Sequence, residues 1–236
     1  MYYQNKKMRH ELKYYITYYE FELLRQRLRM TVQRDKHSVN DDGYHIRSLY
    51  FDNVTDLALH EKNWGVFRRD KYRIRIYNEC DRVIKLERKS KYNDFISKDS
   101  VTLTRCEYET IMDGEYDFLQ KKDSPVARAF YLKSTLGKME PKVIVDYIRE
   151  AYAYQYGDVR ITFDKRLKAG VNTFDIFNPN VVTVNAIRQP QMVLEIKYNS
   201  YLPTHIRNIL QLSSHSRSAI SKYVICREES IRHFSS

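Results

Sequence analysis

Charged and apolar side chains alternate along much of the chain. In residues 9–16, Arg9, Glu11 and Lys13 fall on one face and Leu12, Tyr14 and Ile16 on the other, the period of two that defines a strand. Residues 72–77 repeat the pattern, with Arg73 and Arg75 opposite Ile74 and Ile76, and residues 83–89 place Lys85, Glu87 and Lys89 together. Further strands are predicted over 44–51, 97–103, 142–152, 159–164 and 192–198. Within them Tyr147 shares a face with Arg149, Arg160 with Thr162 and Asp164, and Glu195 with Lys197. Thr17 and Glu20 have capping-box spacing, and Phe21, Leu24 and Leu28 follow at helical spacing, which predicts a helix to about residue 34. Helices are also predicted over 105–113, over 124–136 with Pro125 at the start, and after Pro203, carrying Ile206, Ile209 and Leu210. Residues 165–190 are less regular, with room for a hairpin or two, and the polar tail from Ser213 receives no element. Many strands, few helices and no βαβ alternation predict an antiparallel α+β architecture. With 6 Gly, 5 Pro, no linker and no repeat, residues 1–236 read as one domain.

The charge on the strand faces changes this picture. A solvated sheet face ordinarily carries charge, but it mixes both signs. Here the faces are mostly cationic, with single carboxylates inserted at Glu11, Glu87 and Glu195. Like charges opposite one another on neighbouring strands repel, so a sheet that gathers them needs an anion. Arg suits phosphate through its planar fork and Lys as a mobile point charge. The separated carboxylates suit a hard divalent cation, Mg²⁺ or Mn²⁺, shared with phosphate oxygens. Composition agrees: 41 Lys+Arg against 30 Asp+Glu give a net charge of +11, which favours polyanionic partners without choosing among nucleic acid, anionic membrane and phosphorylated small molecules. The 21 Tyr against 10 Phe fit strands with one wet face.

Other chemistries find little support. No G-x-x-x-x-G-K-[ST] loop is present, and Gly137-Lys138 reads as a helix end. Cys80, Cys106 and Cys226 are too dispersed for a zinc site or a disulfide framework and fit a reduced, cytoplasmic protein. The start lacks an apolar signal core, and no stretch is long and apolar enough to span a bilayer, although a membrane-protein partner stays open. His205 and His215 read as surface or core residues, and Tyr14-Tyr15 and Tyr18-Tyr19 as packing beneath the first helix. The alternating aliphatic face argues against an open RNA-stacking sheet, so no nucleic-acid partner is expected.

The opening Arg9-x-Glu11-x-Lys13-Tyr14 resembles the first strand of the triphosphate tunnel metalloenzymes. The motifs Arg47-Ser48-Leu49-Tyr50-Phe51-Asp52-Asn53, Arg73-Ile74-Arg75, Leu86-Glu87-Arg88-Lys89 and Leu194-Glu195-Ile196-Lys197-Tyr198 follow in the order of the branch that holds the vacuolar transporter chaperone catalytic domain, a polyphosphate polymerase. The resemblance implies a closed eight-stranded antiparallel β-barrel, a tunnel with flanking helices, that binds ATP and polyphosphate and passes the γ-phosphate to the chain end with a divalent metal bound. By motif, Lys13, Arg73, Arg75, Lys85, Lys89, Lys98 and Arg149 are expected on phosphates, Tyr147, Ser221 and Lys222 as further contacts, and Glu195 on the metal. Arg160 and Lys197, on the same strand faces, join the expected phosphate ligands, and Glu11 and Glu87 join Glu195. Arg9 stands where the hydrolase and cyclase branches carry the first Glu of Glu-x-Glu-x-Lys, which fits the polymerase branch better. Two alternatives remain: a tripolyphosphatase or nucleoside triphosphatase on the same scaffold, and a non-enzymatic polyphosphate-binding module.

Overall fold

The computed structural model describes residues 2–3, 6–93, 95–188, 190–211 and 215–234. Eight strands carry the architecture: β1 (Arg9–Thr17), β2 (Tyr44–Asp52), β3 (Arg68–Tyr77), β4 (Cys80–Tyr92), β5 (Phe95–Leu103), β6 (Glu140–Tyr154), β7 (Val159–Gly170) and β8 (Gln191–Tyr198). Every neighbouring pair is antiparallel, in the order β7-β8-β1-β5-β4-β3-β2-β6, and β6 pairs back onto β7 to close the ring. The strands thus form the expected α+β tunnel. The β1–β5 seam is narrow: among the described residues, Arg9↔Ile96 and His10↔Phe95 are in register.

The alternation decides what lies inside. Ile74, Ile76, Ile84 and Leu86 point outward and pack beneath α3 (Arg105–Met112) and α4 (Pro125–Gly137), around Phe130 and Ile111. On the other flank, Phe21, Leu24 and Leu28 of α1 (Tyr18–Thr31) cover Ile16, Ile161, Phe163 and Leu194, together with Ile206 of α5 (Thr204–Ile209). The capping box starts α1 as predicted: Thr17 Oγ1 accepts from Glu20 N at 3.2 Å, and Thr17 N donates to Glu20 Oε2 at 2.6 Å. The helix stops sooner than predicted. Val32 is extended, and Gln33–Arg34 pair with β6, because the backbone gains ladder hydrogen bonds there that a further helical turn would forgo.

Two α-helices went unpredicted. The short α2 (Leu57–Asn63) carries only two buried side chains, Ala58 and Leu59. The polar tail holds α6 (Lys222–Phe234), which packs Tyr223, Val224 and Cys226 against Val143, Val145 and Val193. Tyr223 Oη donates to Asp52 Oδ2 at 2.6 Å, and Arg227 forks onto Asp56 at 3.0 and 3.1 Å. Residue 213 lies outside the described residues. In 165–190, β7 continues through a bulge at Lys165/Lys168, and residues 183–185 pair with it as a single hairpin. Tyr14 is core as expected, whereas Tyr15 and Tyr19 are exposed. Among the described residues no helix is long and apolar enough to cross a membrane.

Gly43 seats β2 against β6: its φ is +109°, and a Cβ there would lie 2.0 Å from the Arg149 carbonyl oxygen. Gly43→Ala should therefore cost about 2 kcal/mol or more, lowering Tm by about 4–8 °C. Gly65→Ala, at φ +72° with nothing within 4 Å, should cost clearly less. Equal thermal shifts for the two variants would contradict this account of the β2–β6 contact.

Candidate phosphate-binding lumen

The ring encloses a cavity of about 1050 Å³. Among the described residues, sixteen Lys and Arg side chains line it against two carboxylates, Glu11 and Glu195. Of the side chains singled out from sequence, Glu11, Lys13, Arg73, Arg75, Lys85, Lys89, Lys98, Tyr147, Arg149, Arg160, Glu195, Lys197, Ser221 and Lys222 all line this one space. Glu87 does not. It is fully buried in the wall, where its carboxylate takes Arg73 at 2.7 Å, Lys98 at 2.9 Å and Arg75 at 3.9 Å. Those cations hold the Glu87 carboxyl well below its ordinary range against the opposing effect of burial.

Strand register sets which charges meet. Arg75 is opposite Lys85, Lys71 opposite Lys89, Lys89 opposite Lys98, and Arg160 opposite Lys197. These are like-charge pairs, each unfavourable in an empty lumen. Opposite-charge partners interleave with them: Arg73 with Glu87, Lys13 with Glu195, Lys197 with Glu11 and Arg149 with Asp164. The arginines are aimed by neutral donors and acceptors as well. Arg73 Nη1 donates to Tyr50 Oη at 2.7 Å, Arg75 Nε to Ser48 Oγ at 3.0 Å, and Arg75 Nη2 to Tyr147 Oη at 3.1 Å. Near the rim, Arg160 donates to the Asp35 carboxylate and to Tyr44 Oη at 3.0 Å.

A second cluster surrounds the two carboxylates. Lys13 reaches Glu11 at 3.3 Å and Glu195 at 3.6 Å, Lys197 reaches the same pair at 3.7 and 2.5 Å, and Lys89 holds both oxygens of Glu11 at 2.8 and 2.9 Å. Against burial and the nearby Glu195 charge, these ammonium groups keep the Glu11 carboxyl down to about 2. Burial, only partly offset by Glu11, pulls the Lys89 ammonium down to about 7. Lys222 at the start of α6 joins from the end of the ring, 2.5 Å from Asp164 and 3.5 Å from Glu195.

Three features escaped the sequence. The alternation places Asp164 on the face of Arg160 but does not show it as the buried counter-ion of Arg149 and Lys222, which it holds at 2.6 and 2.5 Å. Lys71, one position before the predicted strand, lines the cavity and donates to Ser221 Oγ at 2.8 Å. Burial and its neighbours Lys13, Arg69 and Lys89 push its ammonium well below the ordinary range. Arg47, part of a recognised motif, faces outward: it binds Asp146 at 2.7 Å, Glu79 at 2.9 Å and the carbonyls of Ile176 and Asn178, so it anchors the loop over α3 rather than a phosphate.

The donor set fits a divalent ion held with phosphate. Glu11 and Glu195 share two lysines and so face a common point, and Mg²⁺ or Mn²⁺ in such sites takes one or two carboxylates plus phosphate oxygens and water. Among the described residues no three His, Cys, Asp or Glu side chains form a ligand cluster, so phosphate would complete the coordination.

Comparison with known proteins agrees with this geometry. The VTC domain family model matches residues 8–230, and the chain belongs to that family. No curated protein matches it significantly by sequence. Among solved structures, a candidate adenylate cyclase from Bacillus halodurans is similar at 14% identity, over 92% of this chain and 95% of that one, with a TM-score of 0.51. The PH1819 protein of Pyrococcus horikoshii OT3 is similar at 16% identity, over 94% and 99%, with a TM-score of 0.48. Family and lumen chemistry together mark a phosphoryl-handling tunnel protein.

The depressed Lys89 value makes two linked predictions. Its folded value, about 7, lies below the ordinary 10.5, so the unfolded chain binds more protons between them. From this group the empty protein therefore gains stability as pH rises through that window, with no further change below about 7. A polyanion favours the charged ammonium, so tripolyphosphate binding at pH ~8 should take up protons, and affinity should weaken as pH rises above about 7. Titration calorimetry in buffers of different ionisation enthalpy measures the uptake, and Lys89→Met should reduce it. Heat independent of buffer at that pH would contradict the prediction.

Proposed function

From membership of the VTC domain family and the chemistry of its lumen, we propose that this protein is an ATP-dependent polyphosphate polymerase working with Mn²⁺ or Mg²⁺, in a cytoplasmic setting. The observation that carries the reading is the imbalance inside one enclosed space, sixteen cationic side chains among the described residues against two carboxylates. The cavity also follows the lumen face of β3 from Arg69 to Tyr77, roughly 26 Å at strand rise, which suits a chain better than a single phosphate.

In this reading the terminal oxygen of a polyphosphate chain attacks the γ-phosphorus of ATP. The bond to the β,γ-bridging oxygen breaks, ADP leaves with that electron pair, and the chain is one phosphate longer. The nucleophile is already an anion, so no general base is required. Arg73, Arg75, Lys13, Lys85 and Arg149 hold donor and acceptor phosphates in line and stabilise charge as it spreads over the transferred group. Lys89, Lys98, Tyr147, Arg160, Lys197, Ser221 and Lys222 hold the remainder of the chain. Glu195 with Glu11 would hold the metal, which would supply positive charge to neutralise the phosphates. For this the lysines that now hold Glu11 and Glu195 turn their ammonium groups to phosphate. Glu87 and Asp164 stay in the wall as counter-ions that fix Arg73 and Arg149.

Incubation with ATP and Mn²⁺ tests the activity. Products separated by size should include long chains that an exopolyphosphatase degrades; free phosphate alone, under every divalent metal tried, would replace the polymerase with a hydrolase. Glu195→Gln should lower turnover at least about 100-fold while tripolyphosphate still binds. Lys85 isolates the binding role, because among the described residues no carboxylate pairs with it. Lys85→Ala should weaken triphosphate binding about tenfold, the worth of one charge-assisted contact, with Tm nearly unchanged. Arg73→Ala should weaken binding and also destabilise the protein, since it exposes the buried Glu87 carboxylate to an incomplete shell. A Lys85→Ala protein that binds normally would remove Lys85 from the site.

A further inference from the structure

One surface feature lies outside the lumen and belongs to none of its chemistry. The turn joining α2 to β3 exposes Trp64, Val66 and Phe67 at 72%, 36% and 56%. Soluble surfaces rarely gather large apolar side chains so closely.

The backbone of the turn is largely satisfied from within. Trp64 N donates to His60 O at 2.8 Å, Gly65 N to Lys62 O at 3.3 Å and Val66 N to Glu61 O at 3.0 Å. The Phe67 carbonyl accepts from Asn93 N at 3.1 Å, and the Val66 carbonyl from Arg69 Nη1 at 2.8 Å. Trp64 stacks on His60, with ring centroids 5.3 Å apart, and Phe67 packs edge-on against Tyr92 at 4.7 Å. Gly65 between them has φ +72°, and a Cβ there would meet nothing within 4 Å, so this point of the turn projects into open space. An apolar tip with paired backbone groups can leave water without stranding donors or acceptors.

Cations frame it. Lys62 precedes the tip, Arg68 and Arg69 follow it, and Lys62 and Arg69 also line the mouth of the lumen. Interfacial aromatics beside Lys and Arg match the headgroup region of an anionic bilayer, where the rings enter the boundary and the cations meet phosphate. We infer that the α2–β3 turn docks this protein peripherally on an anionic membrane surface, with Trp64 and Phe67 inserted and the adjoining lumen mouth turned toward the lipid.

Trp64 is the single tryptophan of the chain, so its fluorescence reports on the tip alone. Full-length protein is mixed with vesicles of phosphatidylcholine, with and without about 30% phosphatidylglycerol, in low and physiological salt. The expected result is a blue shift and quenching by brominated acyl chains with the anionic vesicles only. Co-flotation should fall about tenfold for Trp64→Ser with Phe67→Ser, exposed positions whose loss leaves folding intact. No blue shift with anionic vesicles would overturn the inference. So would vesicle binding that the double variant retains, since lipid would then meet some other basic surface. A shift produced by ATP without vesicles, and absent with them, would assign Trp64 to nucleotide stacking and equally overturn it. Phosphate-polymer synthesis is not part of any readout, so this inference can fail while the proposed activity stands, or the reverse.

Discussion

Repulsion among buried cations is the constraint around which the remaining structure is arranged. Cross-strand register sets Arg75 against Lys85 and Lys89 against both Lys71 and Lys98, at separations where like charges on a sheet are unfavourable. The wall compensates with few, deeply buried carboxylates. Glu87 serves three cations, Asp164 fixes Arg149 and Lys222, and Glu11 with Glu195 takes the lysines of β1, β4 and β8. These partners hold the guanidinium forks in place, yet among the described residues they leave Lys85 without a carboxylate and Lys71 with neutral partners, the Ser221 hydroxyl and the face of the Tyr223 ring. The unbalanced part of the charge is what a polyanion would complete.

Closure of the sheet makes that concentration of charge tolerable and useful. Outward side chains of the same strands build the apolar layers under α1, α3 and α4, so the burial that stabilises the ring also fixes which residues face inward. The helix α6 finishes the arrangement. Its Tyr223, Val224 and Cys226 pack among the strands, Tyr223 and Arg227 tie it to Asp52 and Asp56, and its start delivers Lys222 to the cluster around Glu195, with Ser221 just before it on Lys71. Function and fold here depend on the same alternation.

That alternation is why so much was legible beforehand. Period two places Arg73 with Arg75, and Lys85 with Lys89, on one face of a strand whatever the neighbours are. It does not say which strands become neighbours. The pairing of Arg73 with Glu87 and the ring closure through β6 and β7 are properties of register, so period two alone suggests Glu87 as a metal ligand beside Glu11, where the fold makes it a counter-ion in the wall. Asp164 was visible on the right face, but its value comes from Arg149 and Lys222 arriving from elsewhere in the chain. The helix α6 was missed because its buried positions are few and spaced among Arg, Glu and His, leaving a polar average; Ser221 and Lys222 came only through family resemblance. The early end of α1 reflects Gln33–Arg34 finding a place on β6, a tertiary contact that overrides local helical spacing.

The central claim is that the lumen is built for a phosphate polyanion rather than for cations screened by salt, and thermal unfolding tests it directly. Ligand that binds only the folded state raises Tm by mass action. Tripolyphosphate at about 100 times its Kd should stabilise by roughly 2.7 kcal/mol, about 5–10 °C for a chain of this size, while NaCl at matched ionic strength should give far less. Equal stabilisation by the two would reduce the effect to generic screening and contradict the account.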